Sequence, residues 1–289
     1  MSLTSIPWQI LIVLGALLTT VSLTLNKYQA HRGSAIQTQS VKYFGCFVWM
    51  TIWWTITSRQ IPSDWWIYSI YGMFVTLSLV AYTKAQRISM SQTSLMEPVG
   101  QLLGILLAAI VINEWRLFTG QSGFQLLLAL LLMPVLLWTL YEYKSVHSKK
   151  WLQLVLIFLI MLAVFKVVVK LFLNSAQAVE VLMFQYLGAF IAGVGGVLFK
   201  KQQKLFNRKF ILRGIMQGWI GSSGILLMYT AIKLTTVTQT TLLRTPLILV
   251  LKTMSGLLLF KEMKKMTKKK WLGVGVALVI TFLVITASH

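Results

Sequence analysis

The sequence predicts an all-α fold: a polytopic membrane protein of ten transmembrane helices, arranged as a 5+5 inverted repeat. Three observations lead there. First, the 289 residues are 57% hydrophobic and only 11% charged, with a mean hydropathy of +0.75. That is too little polar surface for a soluble domain of this length. Second, the apolar residues gather into runs long enough to cross a bilayer core as helices. The runs lack the period-two alternation of barrel strands. Third, one short motif occurs once in each half of the chain.

The apolar segments, in order, are 6–25, 37–56, 65–83, 89–112, 120–141, 151–171, 176–199, 212–232, 237–260 and 271–287. All connections are short, so no soluble domain is inserted. The first segment lacks a basic flank and a small-residue cleavage site, so it is expected to stay as a helix. Trp and Tyr near segment ends, such as Trp49, Trp53, Trp65 and Trp66, fit interfacial belts.

The repeated motif reads SQTSLMEP from Ser91 to Pro98 and TQTTLLRTP from Thr238 to Pro246. Glu114 lies sixteen residues past Pro98, and Glu262 sixteen past Pro246. Matching these copies sets Gln92 opposite Gln239 and Glu97 opposite Arg244. Elsewhere, Tyr43 and Gly45 align with Tyr186 and Gly188, and Lys27 with Lys170. Residues 1–145 therefore form one five-helix repeat and 146–289 the other. An odd number of helices per repeat inverts the second copy in the membrane. Such repeats build a solute site near the midplane.

Composition also excludes several functions. The net charge of +21 lies mostly in loops between apolar segments, which argues for loop charge that orients helices rather than for nucleic-acid binding. Cys46 is the single cysteine, and His31, His147 and His289 lie in loops or at the terminus. No hydrolytic triad, metal cluster or phosphate-cradling loop is visible, so neither an enzyme nor a cofactor is expected. The expected partners are the lipid bilayer and a small-molecule substrate, for a monomer or homodimer in the cell membrane.

A helix with a mid-segment proline, an acid after it, then a Gly-containing final helix, all repeated, resembles the drug/metabolite transporter superfamily. The ten-helix members with two EamA-type repeats are the most similar. The residues that carry the resemblance are Pro98, Glu114 and Gly123, and Pro246, Glu262 and Gly273. It implies 5+5 inverted topology with helices 1, 3, 4, 6, 8 and 9 around a central cavity. It also implies transport of small organic solutes by proton coupling or exchange, and both termini in the cytoplasm. Arg244 departs from so apolar a repeat helix. Loop charge points to the opposite orientation: nineteen of the 27 Lys and Arg residues lie in odd-numbered loops and four in even-numbered ones. That bias favours odd loops in the cytoplasm and both termini outside.

Intramembrane charges are costly and usually face a cavity or a partner. Glu97 and Arg244 are the leading pair. Arg244 offers a planar fork for a carboxylate or phosphate, and Glu97 a site for an ammonium group or coupling proton. The alternative is a buried ion pair that only neutralises itself. Gln92 and Gln239, with Thr93, Thr240 and Thr241, bind solute or join helices. Lys166 and Lys170 share a helix face, with Glu180 near enough in sequence to neutralise one. Lys170 is expected to snorkel, whereas Lys166 adds positive charge to the cavity. Lys42 and Lys252 lie deep, and Lys252 extends a basic face from Arg244. Glu114 and Glu262 are expected to fix helix ends.

These features describe a secondary active transporter of a small polar organic metabolite, carboxylate-bearing or amino-acid-like, working by alternating access. The alternative within the class is an organophosphate or nucleotide-sugar exchanger. The alternative outside it is a non-transporting membrane partner or lipid-linked carrier with the same fold.

Overall fold

The structure is a computed structural model, and it describes residues 3–30, 34–88, 90–119, 121–140, 148–199, 207–260 and 268–287. Among these, all regular structure is helical. The ten α-helices are α1 (Trp8–Ala30), α2 (Ala35–Thr57), α3 (Trp65–Ile88), α4 (Met90–Val111), α5 (Gln121–Leu140), α6 (Lys149–Ser175), α7 (Ala178–Phe199), α8 (Arg208–Leu234), α9 (Val237–Phe260) and α10 (Lys268–Thr286). A 3-10 turn, Glu114–Phe118, joins α4 to α5.

Several helices start at a side-chain cap. Ser34 and Gln37 form a reciprocal capping box on α2, and Ser148 and Asn207 cap α6 and α8. These caps start α2 and α8 earlier than hydropathy alone suggests, because polar first turns continue the helix beyond the apolar run. Pro98, Pro134 and Pro246 sit inside α4, α5 and α9. Each removes a backbone donor and so loosens its helix locally.

The bundle turns large apolar side chains outward and buries polar ones among its apolar core. Ile110 is 80% exposed and Phe199 is 90% exposed, whereas Gln37, Thr38, Gln217 and Ser222 are fully buried. Water would reverse that preference; lipid explains it. Among the described residues, five helices suffice by length and apolarity to cross a membrane: those over Trp8–Leu25, Trp65–Ile88, Lys149–Ser175, Ala178–Phe199 and Arg208–Leu234. The apolar stretches Met96–Val111, Gly123–Val135, Val237–Leu251 and Trp271–Thr286 are shorter among the described residues. In α2 the limit is chemical, because its first turns carry Gln37, Thr38, Gln39 and Ser40, all turned inward.

Helix α1 packs along α8 and α9, and α6 along α3 and α4. Helix α2 crosses α7 and α8, α3 crosses α7, and α5 lies against α10. Two crossings are backbone-close. A Cβ on Gly188 would collide with the Ser69 backbone and one on Gly72 with Gln185, which brings α3 onto α7. Gly45 and Gly218 do the same for α2 and α8, against Ile215 and Lys42. Small residues allow this approach in lipid, where apolar side chains alone give little drive to associate.

The tightness has a testable result. Gly188→Val is expected to cost about 3 kcal/mol or more, because backbone rather than a flexible side chain must move. Gly195 has open space around it and serves as the control. Melting of the detergent-purified variants should drop for Gly188→Val and hold for Gly195→Val. Equal melting would show that the crossing is not tightly packed.

Candidate substrate cavity

Helices α1, α2, α3, α4, α6, α7, α8 and α9 enclose a cavity of about 220 Å³. The resemblance implied six of these; α2 and α7 are additions. Among the described residues, α5 and α10 contribute nothing to its wall and pack on each other instead.

Four charged side chains line the cavity: Lys42, Glu97, Lys166 and Arg244. The repeated motif therefore delivers its charges to one place. Glu97 precedes Pro98, and Arg244 lies two residues before Pro246, so each charge sits beside the local break in its helix. Arg244 has Glu97 and Tyr229 as electrostatic neighbours. Lys166 is buried at 8% exposure, and its Nζ donates to Thr241 Oγ1 at 2.5 Å. Its electrostatic neighbours are Arg244, Glu97 and Glu114. Lys42 lies over the Tyr43 ring, with Nζ 5.6 Å from the centroid, an attractive cation–π geometry.

The remaining expected site residues are elsewhere. Gln239 Oε1 accepts hydrogen bonds from the Thr235 and Thr236 hydroxyls, while the Gln239 backbone N–H donates to Thr236 Oγ1, forming the cap of α9. Thr240 returns its hydroxyl to the carbonyls of Thr236 and Val237, within its own helix. Glu180 accepts from the Gln177 amide and the Ser58 hydroxyl, so it caps α7 and does not neutralise a lysine of α6. A carboxylate at N3 satisfies amides that the helix leaves unpaired, and this is why these polar residues turn away from the cavity. The Gln92 and Lys252 side chains, and Glu262 as a whole, lie outside the described residues.

One further residue changes role, and Glu114 fixes a helix end as expected, though that of α9. Lys170 does not snorkel: its Nζ donates to the carbonyls of Ile232 at 2.7 Å and Thr235 at 2.6 Å. It thus closes the C-terminal end of α8. Glu114 spans from its turn to α9, accepting from the amides of Val237 at 2.9 Å and Thr238 at 2.8 Å. Lys233 similarly donates to the Ala176 carbonyl at 3.0 Å, past the end of α6. At this end of the bundle, cations meet helix C-termini and carboxylates meet helix N-termini, the favourable sense for both.

The sequence did not mark the cavity's uncharged wall. Tyr43, Tyr71, Tyr186 and Tyr229 converge there with Gln101 and Gln185. Tyr229 donates to Gln185 Oε1 at 2.9 Å, and Tyr71 to the Phe165 carbonyl at 3.2 Å. The rings of Tyr43 and Tyr186 lie 6.0 Å apart. Their repeat-equivalent positions were visible in sequence, and a polar ring duplicated within two apolar segments is a usable signal.

No curated protein matches the sequence. A solved structure described only as "Crystal structure of protein" is similar, at 15% identity and a TM-score of 0.72, covering 96% of this chain and 98% of that one. Identity that low establishes a shared fold and nothing finer. The family described as "Sugar transport protein" matches residues 11–288, from the first turns of α1 to the end of α10. With its sequence matched almost end to end, this multi-pass membrane protein is a transporter and belongs to the sugar transport protein family.

Proposed function

We propose that the chain is a secondary active transporter that moves a small polar organic solute by alternating access, through two inverted five-helix repeats. The observation that carries this reading is the cavity walled by eight helices, with Glu97 and Arg244 facing it from the two copies of one motif. The glycine crossings support the repeat. Gly45 and Gly188 are equivalent in the alignment, and each admits a close partner helix, α8 for one and α3 for the other. The pattern agrees with membership of the wider drug/metabolite transporter superfamily, and the cell membrane remains the favoured location.

The solute carries a carboxylate. Three cations against one carboxylate leave the cavity positive, and an isolated intramembrane cation is stable only with a partner. Membership of the sugar transport protein family adds sugars to the candidate solutes. The same surplus charge favours one second reading, an organophosphate exchanger, in which Lys166 and Arg244 hold the phosphate.

Glu97 is the coupling residue. Its carboxylate is the one acid on the cavity wall among the described residues. In this cycle it exchanges a proton for its attraction to Arg244 and Lys166. Glu97→Gln in proteoliposomes is expected to abolish uptake driven by an imposed pH gradient while leaving counter-substrate exchange. Uptake by the variant that still follows the gradient sinks the assignment. Absence of uptake by the unaltered protein, with Glu97→Gln and Arg244→Gln changing only its stability, favours a membrane partner without transport.

A further inference from the structure

The polar groups of the cavity form two separate sets. Arg244, Lys166 and Glu97 are mutual electrostatic neighbours and together carry one net positive charge. Lys42 stands apart, against the ring of Tyr43. Further around the wall, three polar atoms have no protein partner: the Tyr43 hydroxyl, Gln101 Oε1 and the Thr19 hydroxyl. Tyr43 is 2% exposed and Gln101 is 3% exposed. Buried polar atoms left without partners cost about 1–3 kcal/mol each, so such a set marks a place that a ligand or water fills. The space holds about seven waters at ~30 Å³ each, which admits one monosaccharide-sized solute.

We propose that the solute is a monosaccharide bearing one carboxylate, an aldonate or a uronate. Its carboxylate sits on Arg244 and Lys166, and its hydroxyls reach Tyr43, Gln101 and Thr19. This rests on reading the chain as a transporter through this cavity. A neutral sugar satisfies the orphaned hydroxyl and amide groups but leaves the net charge unmatched. A simple amino acid matches charge but has too few hydroxyls for three scattered partners. A phosphate monoester carries about −1.5 to −2 charges, more than the Arg244 set supplies. Tyrosine faces beside polar groups suit a ring whose two faces are apolar and whose edge is hydroxylated.

The test is binding by the full chain in detergent, followed by uptake in proteoliposomes, with D-glucuronate, D-gluconate, D-glucose, L-glutamate and glucose 6-phosphate as probes. One of the two sugar acids should bind at least about tenfold more tightly than each other probe. Arg244→Gln should weaken it by about 10- to 100-fold while leaving any glucose binding unchanged. Tyr43→Phe removes only a hydroxyl, keeps the fold, and should weaken sugar acids by about three- to tenfold without touching glutamate. Tightest binding of glucose, glutamate or glucose 6-phosphate overturns the proposal, as does Tyr43→Phe with unchanged affinity for the acids. Uptake of one of those rival probes then leaves the transporter reading standing. Absence of binding and uptake for all five probes removes the proposal and counts against the cavity as the transport site.

Discussion

Glu114→Ala is expected to destabilise the folded protein by about 3–5 kcal/mol. The carboxylate holds the two leading amides of α9 across a sequence gap of 123 residues. Hydrogen bonds to a charged group contribute roughly 1.5–3 kcal/mol each, and the helix N-terminus adds up to ~2 kcal/mol in partly buried settings. Val237 and Thr238 are both fully buried, so water cannot replace the lost oxygen atoms. Glu114→Gln keeps the shape and one acceptor, and should lose about half as much. The measurement is thermal unfolding of purified protein in one detergent. A Glu114→Ala melting temperature equal to that of the unaltered protein shows that the contact contributes nothing.

Arg244→Ala is expected to leave the helices folded and to raise the apparent KM for an anionic solute by about 100-fold. Truncating one side of a desolvated charge pair costs about 2–5 kcal/mol, part of it from the partner left alone. The alanine variant also leaves Glu97 with Lys166 as its remaining cationic neighbour in this set. Arg244→Lys separates charge from shape: it keeps the positive charge and loses the two-pronged donor geometry. It should fall between the two in initial uptake rate. An Arg244→Ala protein with unaltered KM and unaltered maximal rate excludes this side chain from the solute site.

The helices were legible because lipid imposes a coarse rule, long apolar runs between short charged loops, that composition alone reveals. Glu97 and Arg244 were legible for a related reason: a charge within an apolar run needs an explanation, and a duplicated motif supplied their common address. Lys166 was found the same way. Gln239, Thr240 and Glu180 were misread because a polar residue near a helix start has two uses. It can face a cavity or cap the helix, and sequence spacing is the same for both. Glu180 illustrates the point: its partner Ser58 is 122 residues away, on the turn after α2. Lys170 was misread because its partners are carbonyls of another helix, which carry no side-chain signature. Gln101 and the place of the tyrosines on the cavity wall went unnoticed because uncharged polar groups on apolar helices are common and become informative only when their neighbours are known.

The inward-facing polar turns of α2 bear on how the protein is made. Gln37, Thr38 and Ser40 bond within α2 and its cap, whereas Gln39 Nε2 donates to Thr83 of α3 at 3.1 Å, a contact that exists only once another helix is in place. A segment that opens on four polar residues partitions poorly from the insertion machinery into lipid by itself. Its stable integration is thus expected to depend on its neighbours, chiefly α7 and α8, against which α2 packs. These buried polar turns are therefore also a constraint on assembly, and truncations that end between α2 and α3 should be captured by quality-control proteases rather than accumulate in the membrane.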